Sequence, residues 1–241
     1  MTELGESAGG STNLGDIPVA FQDPGYRAAV VDLIGAIAYG EISAFERLAE
    51  DAKLAPTLAD KLALGKMACV QFDHVEPLIA RIAELGSEPM EAMAPFVKAF
   101  DDFHLRTAPS NWLEGLIKAY VGDGLASDFY REVAAFLDAD TRNIVVTSLS
   151  DVGHSEFVVE RVGQAIAADH RVAGALALWG RRLMGEALSQ AQRVAAERDS
   201  LAALLAGGVD RPGLDLAALG RMFSRLTENH AHRMAELGLA S

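Results

Sequence analysis

Three polar residues in the first third of the chain have the types and the spacing of metal ligands. Glu41 follows Gly40 directly, and Gln71 and His74 come thirty and thirty-three residues after Glu41. Residues three apart on a helix lie on the same face, so Gln71 and His74 point in one direction. Carboxylate and neutral imidazole are ligands of iron and manganese, so this group has the chemistry of one half of a metal site.

The second half of the chain repeats this pattern. Asp123 follows Gly122, and Asp151 and His154 come twenty-eight and thirty-one residues after Asp123. One such match arises easily by chance, whereas the same arrangement at nearly the same spacing, twice in one chain, does not. The repeat predicts two helical hairpins, each with a carboxylate on its first helix and a polar residue with a histidine on its second.

Apolar residues accompany these polar ones at helical spacing, which predicts that the polar groups face a core. Ile37 and Leu48 share the face of Glu41, and Leu78 shares the face of His74. Burying carboxylates and imidazoles is costly unless they pair or bind a cation. In di-metal four-helix bundles, two helices each supply a Glu and two others each supply Glu-x-x-His. The residues that would converge in such a bundle are Glu41, Gln71, His74, Asp123, Asp151 and His154.

The rest of the sequence predicts an all-α protein, because long stretches are rich in Ala, Leu and Glu and show no alternating strand pattern. Residues 1–24, which have no hydrophobic period, are predicted to be a disordered tail. A helical domain over 25–241 follows, with a bundle core over 25–170 and C-terminal helices over 171–237. The predicted helices span 25–53, 57–85, 90–104, 110–137, 141–169, 171–206 and 213–237.

Pro77 lies three residues after His74, inside a predicted helix. Proline has no amide hydrogen, so the carbonyl of Asp73 loses its usual helical partner. We therefore expect a kink or a π-bulge beside the candidate site.

Thirty-four acidic residues against twenty-one basic ones give the chain a net charge of −13. General nucleic-acid binding needs clustered cations, so this balance argues against it. No apolar run was found that approaches the roughly 20 residues that cross a bilayer. The single cysteine, Cys69, cannot form an internal disulfide and is predicted to be a small buried helix residue. The sequence thus predicts a cytoplasmic protein without membrane contact.

The segment Tyr39-Gly-Glu41-Ile-Ser-Ala-Phe-Glu-Arg-Leu-Ala-Glu-Asp, with the two polar-x-x-His pairs, resembles the ferritin-like superfamily. More closely, the chain resembles an actinobacterial branch similar to the tRNA-modifying hydroxylase MiaE. The resemblance covers residues 25–170 and, more loosely, the C-terminal helices. It implies a ferritin-like four-helix bundle with an additional C-terminal helical pair, a di-iron carboxylate site and oxygen-dependent hydroxylation.

The resemblance also implies roles for the candidate ligands. Glu41 and Asp123 would cap the metals, and Asp151 would bridge them. His74 and His154 would each bind one ion.

The sequence departs from the family's pattern at three of its four acidic ligands. Gln71 replaces a glutamate and is expected to be a weak ligand or a supporting residue, and Asp123 and Asp151 are one methylene shorter. Only three carboxylates offset the charge of two divalent ions, so two irons, one ion or an empty site stay open, with manganese as the other metal. Tyr39 and Tyr120 flank the carboxylates of Glu41 and Asp123. They either pack in the core or modulate the reactivity of the metal site.

Two functions of different class compete at this point. One is a di-iron hydroxylase acting on a small molecule or tRNA; the other is a non-catalytic helical scaffold or interaction protein with a degenerate metal site. The helices after residue 171 are the predicted surface of a homo-oligomer such as a dimer. Only the family resemblance suggests tRNA, and the cations that it would contact lie on one predicted helix: Arg181, Arg182, Arg193 and Arg198.

Overall fold

The computed structural model describes residues 21, 23–149, 154–206 and 215–239, and these residues form an all-α fold without a β-strand. The predicted fold class is confirmed. The predicted tail over 1–24 lies almost entirely outside the described residues. The helices are α1 (Pro24–Asp51), α2 (Leu58–Asp73), α3 (Val75–Glu84), α4 (Pro89–Met93), α5 (Val97–Arg106), α6 (Trp112–Ala134), α7 (Ala139–Ser148), α8 (His154–Ala168), α9 (Val172–Glu197), α10 (Asp199–Ala206) and α11 (Leu216–Glu236).

Side-chain caps fix where several of these helices begin. Asp23 accepts a hydrogen bond from the backbone of Gly25 at 2.8 Å. Thr57, Asn111 and Asp138 cap α2, α6 and α7 in the same way. Such caps satisfy backbone N–H groups that have no partner within the helix. Short polar residues before the apolar stretches therefore set the register of the bundle helices.

Two helical hairpins form the bundle. In the first, α1 contacts α2 and α3, and in the second, α6 contacts α7 and α8. α1 also contacts α6, which joins the hairpins. The C-terminal helices cover this bundle, because α9 and α11 pack on α6 while α10 packs on α1.

The second helix of the first hairpin is broken at His74. α2 ends at Asp73, α3 begins at Val75, and the His74 N–H donates to the Gln71 carbonyl at 3.3 Å instead of following the regular α-helical pattern. Pro77 explains the break, since it leaves the Asp73 carbonyl without an amide partner. The predicted kink is confirmed, and the single helix predicted over 57–85 is corrected to two.

The second helix of the other hairpin is also divided. α7 ends at Ser148 and α8 begins at His154, in place of the single helix predicted over 141–169. Residues 150–153 between them lie outside the described part of the chain. In both hairpins the histidine of the motif thus lies at an end of a described helix, since His74 follows α2 and His154 begins α8.

Ion pairs link the second helices of the two hairpins. Arg81 of α3, which is 9% exposed, donates to the Thr141 hydroxyl at 3.0 Å and to Asp138 at 3.2 Å. Arg161 of α8 donates to Asp60 of α2 at 2.7 Å. These contacts hold the two helix junctions within one bundle.

The helix predicted over 171–206 is divided at Arg198, whose backbone leaves helical geometry. The Arg198 side chain pairs with Asp32 of α1, as does the Ser200 hydroxyl. Asp32 is 6% exposed, so this contact fixes α10 against α1 at a buried position. In the predicted helix over 90–104, Pro95 similarly lies in a 3₁₀ turn between α4 and α5.

The helical stretch Pro24–Leu54 is long and apolar enough to cross a membrane. This corrects the prediction that no apolar run of the chain approaches that length. However, 61% of its most apolar 18-residue segment is buried inside the fold, as in the core helix of a bundle.

The outer face of α2 carries exposed apolar groups. Leu58 and Leu62 are 80% and 59% exposed, and Phe72 is 50% exposed. Cys69 lies on the same helix and is exposed, which corrects the prediction that it is buried. The predicted homo-oligomer stays a prediction.

Candidate metal centre and its cavity

Glu41 lies on the inner face of α1, as predicted. It is 8% exposed, and Ile37 and Leu48 on the same face are 1% and 7% exposed. Glu46, five residues further on, is exposed, as its helical angle predicts. α1 therefore carries one carboxylate into an otherwise apolar interior.

The imidazole of His74 meets the Glu41 carboxylate. Nδ1 of His74 lies 3.4 Å from Oε2 of Glu41, a long contact between a helix junction and the middle of α1. Gln71 is buried on the same side of α2, whereas Asp73 is exposed. The predicted face of the first polar-x-x-His pair is confirmed.

The electrostatics of this pair favour an added cation. Burial raises the pKa of Glu41, and the negative charge of Asp123 raises it further, while His74 opposes both effects. The contact with Glu41 raises the pKa of His74, and Asp123 adds to that shift. Two carboxylates and one imidazole therefore act on the same region, where a bound cation would offset the cost of burying Glu41.

Asp123 lines the same cavity as Glu41 and Gln71, but it is exposed. This corrects the prediction of a buried inward stripe at this residue, although Leu116 and Tyr120 on that stripe are buried. The reason is that the cavity wall reaches solvent at Asp123. Its charge nevertheless acts on both Glu41 and His74.

The second half of the predicted ligand set stays a prediction. Asp151 lies outside the described residues, and of His154 only the backbone is described. Within the part of the chain that the structure describes, no group of three or more His, Cys, Asp or Glu side chains could hold a metal ion. The geometry therefore shows a contact between two of the predicted ligands, Glu41 and His74, and the charge of Asp123 acts on both.

A cavity of about 370 Å³ adjoins these residues. Its wall includes Leu33, the tenth residue of α1, and Asp51, the last residue of α1, with Glu41 between them. Leu33 and Asp51 are eighteen residues apart, which corresponds to about 27 Å at 1.5 Å per residue. Most of its wall is apolar, with aromatic rings from α5 and α6 such as Phe100 and Phe129.

Residues 24–208 match the family described as the ferritin-like domain of actinomycetes. The chain belongs to this family. No curated protein matches the sequence. The match includes both hairpins and extends through α9 and α10, so the C-terminal helices that cover the bundle belong to the family's domain up to residue 208.

The two tyrosines expected beside the metal in this ferritin-like domain make contacts elsewhere. Tyr39 donates to Asp101 at 3.3 Å, and Tyr120 donates to Glu236 of α11 at 2.6 Å. Tyr130 was not predicted as a site residue, although burial raises its pKa and the charge of Glu41 adds to that shift. It follows Asp123 by seven residues, two helical turns, and this spacing was the available signal.

The arginines proposed to contact tRNA are partly engaged within the ferritin-like fold. Arg193 pairs with Asp102 at 2.9 Å, and Arg198 pairs with Asp32. Arg182 donates to the backbone carbonyl of Arg106. These contacts neutralise part of the predicted basic surface, and a tRNA substrate stays a prediction.

Proposed function

We propose that this ferritin-like protein is a metal-dependent oxidoreductase that hydroxylates a small molecule held in the cavity beside Glu41. The observation that carries the proposal is the contact of Glu41 with His74 at the wall of an apolar cavity. A buried carboxylate and an imidazole, 3.4 Å apart, are hydrogen-bonding partners and also a suitable pair of metal ligands.

The donor set present fits one half of a di-metal site. Glu41 and His74 would hold one ion, and Asp123 would contribute charge or a further oxygen ligand. Asp151 and His154 would complete the site from the second hairpin. Iron, with manganese as the other metal, would supply the redox chemistry with dioxygen when bound.

The reaction balances only with an external reductant. One oxygen atom of O₂ enters a C–H bond, and the other leaves as water after uptake of two electrons and two protons. We propose a small two-electron reductant or a redox partner protein as their source. The chain's own contribution is to position the substrate and to limit its contact with water inside the cavity.

Residues around Glu41 have defined tasks in this proposal. His74 holds Glu41 at a fixed rotamer, and Gln71 places a neutral amide where a second carboxylate would add repulsion. Tyr130, which is partly buried, presents a neutral phenol, and burial with the charge of Glu41 moves its pKa still further above neutral pH. The apolar wall orients a C–H bond toward the carboxylates.

Metal content tests this proposal. Untagged protein from cells supplied with iron and manganese would be assayed by mass spectrometry beside the His74→Ala, His154→Ala double variant. Glu46→Gln is the matched control, since Glu46 lies on α1 near Glu41 but is exposed. We expect one to two ions per wild-type chain, retention in Glu46→Gln and loss in the double variant.

Oxygen consumption with a chemical reductant then tests the redox part. Metal binding without oxygen consumption would support the metal site and overturn the proposed hydroxylase activity. Wild-type protein without metal under these conditions would overturn both.

A helical scaffold with a degenerate site is the second candidate, because Glu41 and His74 can satisfy each other as a hydrogen-bonded pair without a metal. In that case added Mn²⁺ leaves the thermal unfolding temperature unchanged. A metal-binding protein instead gains stability, and the gain increases with the logarithm of the ion's affinity for the folded state.

The relation to the tRNA hydroxylase MiaE is a narrower proposal within the same function. Arg181 and Arg182 are both exposed and are the first cations to test. If tRNA is the substrate, Arg181→Ala with Arg182→Ala weakens its binding in a salt-dependent manner. Unchanged or absent tRNA binding would remove this version and leave the small-molecule substrate.

A further inference from the structure

A polar cluster lies at the end of the cavity away from Leu33. It consists of Arg47 and Asp51 of α1, His104 of α5 and Lys118 of α6, all on the cavity wall. Asp51 follows Glu41 by ten residues, which is about 15 Å along the helix axis. The cluster is therefore separate from the candidate metal ligands but shares their cavity.

Lys118 is the central group of this cluster. It is 5% exposed, and its Nζ lies 5.7 Å from the centre of the Phe103 ring. No described residue accepts a hydrogen bond from it; the nearest compensation is the negative charge of Asp51. A buried ammonium with three N–H groups and no acceptor requires one at this position.

Two neighbouring side chains also carry unused hydrogen-bonding atoms. Nε of Arg47 and Nδ1 of His104 are buried without a hydrogen-bonding partner among the described residues. The other end of the Arg47 guanidinium donates to Glu50 at 2.8 Å. Burial lowers the pKa of His104 to about 3, so its imidazole is neutral and Nδ1 can carry a hydrogen. Glu50 already pairs with Arg47, so Asp51 is the remaining carboxylate for the unused N–H groups of Lys118, Arg47 and His104. The group is therefore complementary to an acceptor-rich ligand.

The protonation states of Lys118 and Asp51 also favour an acceptor-rich ligand. Burial lowers the pKa of Lys118 to about 8, so the amine is still largely charged at pH 7. Burial raises the pKa of Asp51 to about 6. A second carboxylate beside Asp51 would raise its pKa further, and a protonated Asp51 would become another donor.

The rest of the cavity sets the other end of the ligand. Around Leu33 the wall contains apolar side chains of the same core cluster, among them Val133 and Leu204. The volume of about 370 Å³ lies in the range of small-molecule pockets, roughly 300–1,000 Å³. A largely apolar space that extends along α1, with cations at one end, fits a chain with an anionic head.

We propose that this cavity binds a long-chain aliphatic carboxylate, with its head on Lys118, Arg47 and His104 and its chain passing Glu41 toward Leu33. The assignment of this acid as the substrate rests on the proposed function. Its binding requires only the cavity and its cations.

Isothermal titration calorimetry of the metal-free full-length protein tests the binding. The probes are hexadecanoate, hexadecanol and hexadecyltrimethylammonium, which share one chain and differ in the charge of the head. Lys118→Met removes the charge and keeps an unbranched side chain, while Lys118→Arg keeps the charge. Lys66→Met is the matched control, because Lys66 is exposed on α2.

We expect hexadecanoate to bind more tightly than either other probe. Lys118→Met should weaken hexadecanoate binding by about 10- to 100-fold, the worth of a charged hydrogen bond, and leave hexadecanol binding unchanged. Lys118→Arg should retain most of the affinity, and Lys66→Met should equal the wild type. Circular dichroism and thermal unfolding confirm that each variant is folded.

Several results would overturn the proposal. Equal affinity for the acid and the alcohol, or hexadecanoate binding that is unaffected by Lys118→Met, would remove the head-group assignment. Tighter binding of the ammonium would make Asp51 the anchor instead. No binding of any probe would remove the ligand class altogether.

The outcome is independent of the metal. Hexadecanoate binding in a protein that never takes up metal would leave this inference standing while the proposed function fails. Metal uptake and oxygen consumption without hexadecanoate binding would do the reverse.

Discussion

Gly35 of α1 lies directly against the backbone of Ala92 in α4. A Cβ at residue 35 would lie 2.3 Å from the Ala92 carbonyl oxygen, a distance that real contacts do not reach. α4 can cross α1 at this point only because residue 35 has no side chain. Leu33 and Ala36, beside this crossing, line the cavity, so the crossing helps to define its apolar end.

Gly35→Ala should therefore lower the free energy of unfolding. Overpacking against a backbone costs about 1–3 kcal/mol, which outweighs the roughly 1 kcal/mol that alanine gains over glycine within a helix. Gly163→Ala is the control, since a Cβ at residue 163 of α8 meets nothing within 4 Å. Urea denaturation should show a loss for the first and a small gain for the second; a gain for both would contradict the crossing.

Helix type and order could be predicted because period and caps are local properties of the sequence. The predicted helices correspond to the described ones, but four of them are divided. The break at His74 was predictable from Pro77, whereas the break at Arg198 depends on its pairing with Asp32, 166 residues away. Such long-range contacts leave no local signal.

The same distinction applies to the candidate site. The inward faces of Glu41, Gln71 and His74 follow from helical period, and the structure confirms them. The exposure of Asp123 and the contact of Lys118 with Phe103 depend on how α6 packs against its neighbours. Single-helix periodicity contains no information about that packing.

Gln71→Glu should make the stability of the protein depend more strongly on bound metal. Without metal, a second carboxylate beside Glu41 adds repulsion in a buried place, and the free energy of unfolding falls. With Mn²⁺ the new carboxylate becomes a ligand, so the metal-induced rise in unfolding temperature exceeds that of the wild type. Lys66→Glu, which adds a carboxylate on the exposed side of α2, should show the wild-type rise. Equal rises in all three proteins would mean that residue 71 does not face the metal.

Asp32→Ala should loosen α10 from α1. Asp32 is 6% exposed and accepts hydrogen bonds from Arg198 and Ser200, so its loss leaves their polar groups without an acceptor. We expect a cost of about 1–3 kcal/mol in free energy of unfolding, with increased hydrogen exchange in α10. Asp73→Ala, at an exposed residue, should change stability by less than about 0.5 kcal/mol. Unaltered exchange in α10 would show that other contacts hold this helix.

Asp51 should make the protein less stable as pH rises from about 4 to about 6. Its pKa is raised by burial from 3.8 to about 6, so in this interval the native state holds a proton that the unfolded chain has released. Protons bound only by the native state make stability fall with increasing pH. Asp51→Asn should remove this part of the decline. Urea denaturation of both proteins at pH 4.5 and pH 7 measures it, and parallel declines would contradict the buried location of the carboxyl.

Lys118 should act in the opposite direction at alkaline pH. Burial lowers its pKa from 10.5 to about 8, with Arg47 adding to the shift while Asp51 and Glu50 oppose it. Between these values the unfolded chain binds a proton that native Lys118 has lost, so stability rises with pH. Lys118→Met should abolish this rise and Lys66→Met should preserve it. The check is the difference in free energy of unfolding between pH 8 and pH 10 for each protein. An identical difference in the wild type and Lys118→Met would mean that the amine reaches solvent and is not the buried cation at the end of the cavity.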